Sequence, residues 1–176
     1  LGHYADAVEA AVRQFPITLV RNPSPDDGQA SSVRIGLQAL SPRLDAVMVA
    51  LADQPLIDEQ DIVALISAFK KRGDAAMVVP RVATAGGASE PGNPVIFDGA
   101  LREEWLAGEA DLTCRKWRQA HPERVHWLDT DNSRYRIDID FKRRHMLWTD
   151  SGVDPEIPST LEITGGHVMV KWGWQG

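Results

Sequence analysis

Residues 46–51, Ala-Val-Met-Val-Ala-Leu, form an apolar run without a polar interruption. A strand with one face in water alternates polar and apolar residues, whereas a strand that is covered on both faces is apolar throughout. The run is shorter than an ordinary helix and leads directly into Ala-Asp-Gln-Pro at 52–55. We therefore predict a central strand of a parallel sheet that is packed on both faces.

The elements around this strand alternate in type. Apolar residues repeat at helical spacing in 30–40 and 59–72, and Asp58 can cap the second of these helices. Short apolar runs occur at 17–20 and 75–79. This alternation with short connections predicts an α/β domain with a mostly parallel sheet. Further along the chain we expect a surface loop at 81–92, strands at 93–97, 124–128 and 134–139, and helices near 99–106 and 112–120.

The C-terminal part of the chain has a different pattern. Pro155 and Pro158 interrupt any regular element, and Gly165-Gly166 lies between two β-rich segments, which favours a tight hairpin. We therefore predict one α/β domain over residues 1–148, followed by a linker and a β-hairpin tail over 149–176.

Charge and composition exclude several classes of function. The 19 Lys and Arg residues against 25 Asp and Glu give a net charge of −6, which disfavours a nucleic-acid partner that needs a basic surface. No apolar run approaches the length of about 20 residues that a membrane-spanning helix needs. The one cysteine, Cys114, can form no internal disulfide, and no basic partner at a catalytic spacing supports a nucleophilic role. These features predict a cytoplasmic protein without a membrane or nucleic-acid partner.

Acidic residues supply the candidate site. Asp53 follows the apolar strand at its carboxyl end, where open α/β sheets bind ligands, although an Asp in a strand-to-helix turn can also serve only the local backbone. Asp138 and Asp140 lie two residues apart, so in a strand they would share one face. Two adjacent carboxylates favour a cation between them, but a solvated strand face, or neutralisation by Arg134 or Arg136, is the alternative.

Together, Asp53 and Asp138 would form a hard oxygen site that suits Mg²⁺ and leaves room for phosphate oxygens. Such a site indicates phosphoryl or nucleotidyl transfer. Residues 28–32, Gly-Gln-Ala-Ser-Ser, precede or begin a predicted helix, where backbone N–H groups and hydroxyls either hold a nucleotide or cap the helix.

Four segments in a fixed order carry a family resemblance: Gly28-x-x-x-Ser32-Val33-x-x-Gly36-Leu37, Val49-Ala50-Leu51-Ala52-Asp53-Gln54-Pro55, Gly92-Asn93-Pro94-Val95 and Asp138-Ile139-Asp140. Their order and spacing over residues 1–144 resemble the motifs of the molybdenum cofactor cytidylyltransferase and guanylyltransferase family. The segment Leu-Ala-Asp-Gln-Pro is the most specific of the four.

The resemblance implies a three-layer α/β/α sandwich like that of the nucleotide-diphosphosugar transferases. It implies Mg²⁺-dependent transfer of CMP, in preference to GMP, from CTP or GTP to molybdopterin with release of pyrophosphate, and a molybdoenzyme or its chaperone as a partner. The implied roles are metal binding and catalysis for Asp53 and Asp138, nucleotide binding for Gly28, Ser32 and Asp53, and substrate binding for Gly92, Asn93 and Pro94.

The sequence departs from the family pattern at three places. Family members begin with a strand and a glycine-rich segment whose Arg and Lys hold the triphosphate, and the sequence starts at Leu1 without them. Asn93 replaces a usual His, and Phe141-Lys142 replaces a usual Thr-Pro. We therefore expect an N-terminally truncated transferase domain, with a non-catalytic nucleotide-binding remnant of the fold as the alternative.

Overall fold

A computed structural model describes residues 1–84, 86–108, 113–138, 163–164 and 167–168. The α-helices are α1 (Ala5–Val12), α2 (Gln29–Ala39), α3 (Glu59–Lys70), α4 (Gly99–Ala107) and α5 (Cys114–Ala120). The strands are β1 (Ala46–Val49), β2 (Met77–Ala83), β3 (Ser89–Pro91), β4 (Val95–Asp98), β5 (Val125–Thr130), β6 (Ile163–Thr164) and β7 (His167–Val168). Short 3-10 turns occupy Pro25–Asp27, Pro122–Arg124 and Ser133–Arg136.

The main sheet is mixed, with β2 at its centre. β4 lies antiparallel between β1 and β2, β3 continues antiparallel along the same edge of β2, and β5 pairs parallel with the other edge. β1, β2 and β5 therefore run in one direction, but the expected parallel pairing of β1 is wrong because β4 is inserted beside it. Within the described sheet β1 lies at an edge, not at the centre.

Helices cover both faces of this sheet, which confirms the predicted α/β architecture. Along β2 successive side chains point to opposite faces, so Met77 and Val79 enter one core and Val78 and Val82 enter the other. The first core also contains residues of α2, α4 and α5, namely Leu37, Leu101, Trp105 and Trp117. The second is closed by α3 through Leu65 and Phe69. The continuous apolar runs in the sequence reflect this coverage on both sides.

An interruption in the ladder separates β3 from β4. Residues 77–78 of β2 pair with β4 and residues 81–83 pair with β3, so 79–80 face the four residues 92–95. Pro80 fits here because its carbonyl accepts a hydrogen bond from Gly92 N at 2.8 Å. Its nitrogen faces the same edge, where the bulge removes the need for a ladder donor. The chain bends away from β2 at this bulge.

Three further sequence predictions fail in this fold. Residues 17–20 form no strand, and their backbone hydrogen bonds include one from Ile17 N to Phe15 O at 2.8 Å and one from the Leu1 ammonium group to Val20 O. Residues 81–92 are not a loop throughout, because β2 continues to Ala83 and β3 pairs with it. Residues 133–136 form a 3-10 turn instead of a strand, since Asn132 Oδ1 accepts from Arg134 N at 3.1 Å and closes a tight turn.

The described residues include one pair of strands in the C-terminal tail. Ile163–Thr164 pairs antiparallel with His167–Val168, and residues 139–162 lie outside the described residues, so the division at residue 148 stays a prediction. Within the described ranges, no helix combines the length and the hydropathy that crossing a bilayer requires.

Helices α2 and α4 cap one another through two arginines. Arg34 of α2 donates to Trp105 O at 3.0 Å and Leu106 O at 2.6 Å, near the end of α4. Arg102 of α4 donates to Leu37 O at 2.9 Å and Leu40 O at 3.2 Å, at the end of α2. The last carbonyls of a helix lack α-helical donors, and here Leu37 O and Trp105 O accept only long bonds of 3.4 and 3.3 Å from the residues that end their own helices. Each guanidinium therefore supplies a shorter, charged donor to the C-terminal end of the other helix.

We predict that Arg102→Met lowers the free energy of unfolding by about 2 to 3 kcal/mol, because methionine keeps much of the apolar stem and leaves the α2 carbonyls without a charged donor. Urea unfolding followed by circular dichroism measures the change. The exposed Arg43→Met is the control for loss of one positive charge. Equal unfolding midpoints for the two variants would contradict a stabilising role of the hydrogen bonds from Arg102 to the end of α2.

Candidate functional site

The turn after β1 presents the first acidic residue. Leu51 O accepts a hydrogen bond from Gln54 N at 3.4 Å, which closes a turn with Asp53 near its tip. Asp53 is partly buried, and Gln54 has only 7% of its surface exposed. Farther on, Asp58 caps α3 as the sequence predicts, in a reciprocal capping box with Asp61. The carboxyl end of β1 thus leads to a rigid helix start.

The segment after β5 brings the second acidic residue to this turn. Gln54 Nε2 donates to Tyr135 O at 3.2 Å and to Asp138 Oδ1 at 2.9 Å. Asp138 is exposed and follows the 3-10 turn. Residues that are more than eighty positions apart in the sequence are therefore joined through one buried amide. Asp140 lies outside the described residues, so the predicted shared strand face of Asp138 and Asp140 stays a prediction.

The 3-10 turn is held against α3 by a polar network. Arg134 donates to Asp58 Oδ2 at 2.7 Å and Asp61 Oδ1 at 2.9 Å. Asn132 Nδ2 donates to Asp61 Oδ1 at 2.6 Å, and the Tyr135 hydroxyl donates to Asp61 O at 2.9 Å. The buried Asp61 carboxylate is thereby paired and hydrogen-bonded, as a buried charge requires. Arg134 consequently pairs with α3 and not with Asp138.

The bulge at residues 92–94 forms the third side of the site. Asn93 N donates to Tyr135 O at 2.8 Å, so one carbonyl accepts from both Asn93 and Gln54. A Cβ at Gly92 would lie only 2.4 Å from Tyr135 O, closer than real contacts permit. Only glycine allows this approach without movement of the backbone. Gly92, Asn93 and Pro94 therefore border the group of Asp53, Gln54 and Asp138.

Gly28 and Ser32 belong to a different cluster. Asn22 is buried, and its Nδ2 donates to Ser31 Oγ at 2.8 Å and to Ser32 Oγ at 2.9 Å. Gly28 has a φ of 88° at the start of α2, a left-handed conformation that favours glycine. Among the described residues, the hydrogen bonds of this cluster do not extend to Asp53 or Asp138. The nucleotide-binding roles of Gly28 and Ser32 remain predictions.

The surroundings of Asp53 disfavour the ionised form of its carboxyl group. Partial burial, and after it the negative charge of Asp138, raise the pKa of the Asp53 carboxyl above its ordinary value. No group of three or more His, Cys, Asp or Glu side chains in the described part of the chain is arranged to hold a metal ion. A pair of carboxylates that repel one another nevertheless fits Mg²⁺ or Mn²⁺, which bind through one or two carboxylates together with water and phosphate oxygens.

Sequence reasoning missed the residues that assemble this site. Gln54 was visible inside the Leu-Ala-Asp-Gln-Pro segment, yet no local pattern shows that its amide reaches Asp138. Asn22 and Asn132 show no signal in the sequence, because their partners are distant in sequence or lie in turns. Arg134 was considered as a partner of Asp138, but it pairs with Asp58 and Asp61 instead. A polar residue directly beside a motif Asp was the one available signal.

Comparison with known proteins is consistent with this arrangement. The family described as "MobA-like NTP transferase domain" matches residues 2–125, more than half of the chain. The chain belongs to the MobA-like NTP transferase family. Asp53 and the bulge lie within the matched residues, and Asp138 lies beyond them. No protein of curated function matches the chain.

Solved structures share the fold. Rv0371c from Mycobacterium tuberculosis H37Rv has a TM-score of 0.58 at 24% identity, over 80% of this chain and 68% of that one. Its complex with manganese has a TM-score of 0.57 at 25% identity, over 86% and 73% of the two chains. The 4-diphosphocytidyl-2C-methyl-D-erythritol synthase of Anaerococcus prevotii has a TM-score of 0.57 at 18% identity, over 73% of this chain and 66% of the synthase. These neighbours confirm the predicted nucleotide-diphosphosugar-transferase-like fold.

We predict that Gly92→Ala lowers the free energy of unfolding by about 1 to 3 kcal/mol, since the new methyl group meets the Tyr135 backbone and forces the two segments apart. Urea unfolding measures this loss. Gly86→Ala is the matched control, because a Cβ at Gly86 meets nothing within 4 Å. Unfolding of both variants at the same urea concentration would show that the close contact is unimportant.

We also predict that Cys114 reacts slowly with thiol reagents in the folded protein. Burial raises the pKa of this thiol to about 12, although the charge of Arg118 opposes the shift. At pH 8 the folded chain therefore carries almost no thiolate, which is the reactive form. Labelling with a disulfide reagent should be slow in buffer and complete in urea, and rapid labelling of the folded chain would contradict the prediction.

Proposed function

We propose that this chain acts in a divalent-cation-dependent nucleotidyltransferase that transfers CMP, in preference to GMP, to molybdopterin and releases pyrophosphate. The observation that carries the proposal is the link from Gln54 to Asp138 beside Asp53, at the carboxyl end of β1 in a MobA-like NTP transferase domain. Open α/β sheets bind ligands at this end, outside the carboxyl ends of their strands. The single cysteine fits a reducing compartment such as the cytoplasm.

Asp53 and Asp138 are the proposed ligands for Mg²⁺ or Mn²⁺. The manganese complex of Rv0371c supports a divalent cation in a protein of this fold. When bound, the cation neutralises negative charge on the phosphates and helps to orient them. The mutual repulsion that raises the pKa of Asp53 would be relieved by such a charge. The acidic pair is therefore better explained by a cationic ligand than by the fold alone.

The chemistry requires positioning more than proton transfer. A phosphate oxygen of the acceptor would attack the α-phosphorus of the nucleotide, form a new P–O–P linkage, and break the bond to the β-phosphate. A phosphate monoester is largely ionised at neutral pH, so its attacking oxygen needs no general base. The protein contributes by holding the two substrates in line and excluding unproductive orientations.

The remaining predicted roles are assigned to two other groups of residues, the start of α2 and the bulge before β4. Gly28 and Ser32, with Asn22 behind them, are proposed to contact the nucleotide at the start of α2. Gly92, Asn93 and Pro94 are proposed to contact the pterin, because the bulge places them beside Asp138 through the shared Tyr135 carbonyl. A molybdoenzyme or its chaperone is the proposed recipient of the product.

We predict that Asp53→Asn weakens binding of CTP in the presence of Mg²⁺ or Mn²⁺ by about tenfold or more, because one of two anionic ligands becomes neutral. The folded pKa of Asp53 is raised, so at neutral pH its ionised form opposes folding. The melting temperature without metal should therefore stay constant or rise. Calorimetric titration and a thermal scan measure the two effects.

Asp74→Asn is the control, since it removes the same charge from an exposed position after α3. Unchanged metal-dependent nucleotide binding in Asp53→Asn would refute the assignment. Pyrophosphate release from CTP with molybdopterin then distinguishes the two candidate functions. Release supports the transferase, and binding of metal and nucleotide without release supports the non-catalytic remnant.

A further inference from the structure

Gln54 is a buried polar residue, and among the described residues only the NH₂ group of its side-chain amide is hydrogen-bonded. Its Nε2 donates to Tyr135 O and Asp138 Oδ1, and both partners are pure acceptors. The NH₂ end of the amide must therefore face them, which fixes the identity of the other end as oxygen. That oxygen, Gln54 Oε1, is buried and has no hydrogen-bond donor among the described residues.

Such an arrangement is unfavourable for the fold by itself. A buried acceptor without a donor loses its hydrogen bond to water and receives nothing in return. The same amide also holds the Asp138 carboxylate beside the turn that carries Asp53, so two acidic side chains lie at one site. An apolar side chain of similar size would avoid the unpaired oxygen. The residue is therefore better explained by something that binds at the site than by packing.

We propose that Gln54 is a positioning residue for the cation site, which orients the Asp138 carboxylate through the hydrogen bond from Nε2. This inference rests on the proposed function, because it takes Asp53 and Asp138 as the ligands. Residues that hold metal ligands by hydrogen bonds commonly change metal affinity by 10 to 100-fold when they are replaced.

The position of Gln54 supports this role over a purely structural one. One hydrogen bond to Asp138 Oδ1 leaves the second carboxylate oxygen for a ligand. The backbone on both sides is fixed independently of the amide, by the turn at Leu51 and by the network around Asp61. Loss of the amide should consequently affect the orientation of Asp138 more than the path of the chain.

The test is a titration of the chain with Mn²⁺ alone, in which free Mn²⁺ is measured by electron paramagnetic resonance. Gln54→Met keeps the approximate volume and removes both the donor and the acceptor. We expect its dissociation constant for Mn²⁺ to rise about tenfold or more relative to the original chain. If Gln54→Met does not fold, Gln54→Asn, which retains an amide but is one methylene shorter, takes its place.

Tyr135→Phe is the matched control. It removes the hydrogen bond to Asp61 O, which anchors the same segment, but leaves the Tyr135 carbonyl and Asp138 in place. A role in positioning predicts lower stability for Tyr135→Phe with Mn²⁺ affinity within about twofold of the original chain, since no group facing the cation changes. An equal loss of affinity in both variants would mean that Gln54 is only structural, and would overturn the inference.

A double-mutant cycle with Asp138→Asn tests whether the amide acts through Asp138. If Gln54 acts through Asp138, then Gln54→Met has a smaller effect on Mn²⁺ affinity in the Asp138→Asn background than in the original chain. Equal effects in both backgrounds would overturn the orienting role.

The same titration distinguishes failure of this inference from failure of the proposed function. If Mn²⁺ binds, Asp53→Asn weakens it and Gln54→Met does not, then the cation site stands and the role of Gln54 is wrong. If the original chain binds no Mn²⁺, or Asp53→Asn binds it equally well, then the cation site itself is wrong and the inference is overturned with it.

Discussion

The carbonyl oxygen of Tyr135 joins the three segments that make the site. It accepts hydrogen bonds from Asn93 N and Gln54 Nε2, and it lies so near Gly92 that a Cβ there would collide with it. The buried Tyr135 ring anchors the same residue in the core beneath α3, and its hydroxyl donates to that helix. Because a single backbone oxygen serves both neighbours, displacement of this segment would disturb the turn after β1 and the bulge together.

The directions of the strands bring these segments together at one end of the sheet, where β1 and β2 finish. β1 and β2 run in the same direction, and β4 lies antiparallel between them, so the chain that enters β4 begins at the end where β1 finishes. The bulge before β4 therefore lies beside the turn that carries Asp53. β5 runs parallel to β2 and leads toward the same edge, from which the 3-10 turn brings Asp138 back across the end of the sheet. Strand direction thus determines which loops meet.

The polar groups of this edge fall into two kinds. Asp58 and Asp61 are balanced by Arg134 and by backbone donors, and they secure the start of α3. Burial and the negative charge of Asp138 raise the pKa of Asp53, and Gln54 Oε1 is buried without a donor in the part of the chain that the structure describes. Natural proteins tolerate such local costs at sites that bind ligands, since the same charges and open acceptors provide the binding energy. Asp58 and Asp61 therefore stabilise the fold, whereas Asp53 and Asp138 belong to the candidate binding site.

The sequence by itself determined the α/β class, the position of Asp53 at the end of an apolar strand, the Asp58 cap and most helices, because these depend on residue spacing within a few positions. The chemistry of the acidic residues and the family resemblance together predicted that Asp53 and Asp138 share a site. Only the tertiary structure decided that β4 is inserted beside β1, that residues 133–136 turn instead of extending, and that Gln54 bridges the two halves of the site. Strand partners and buried side-chain bonds depend on which distant segments meet, and the periodicity of a single segment contains no information about its partner.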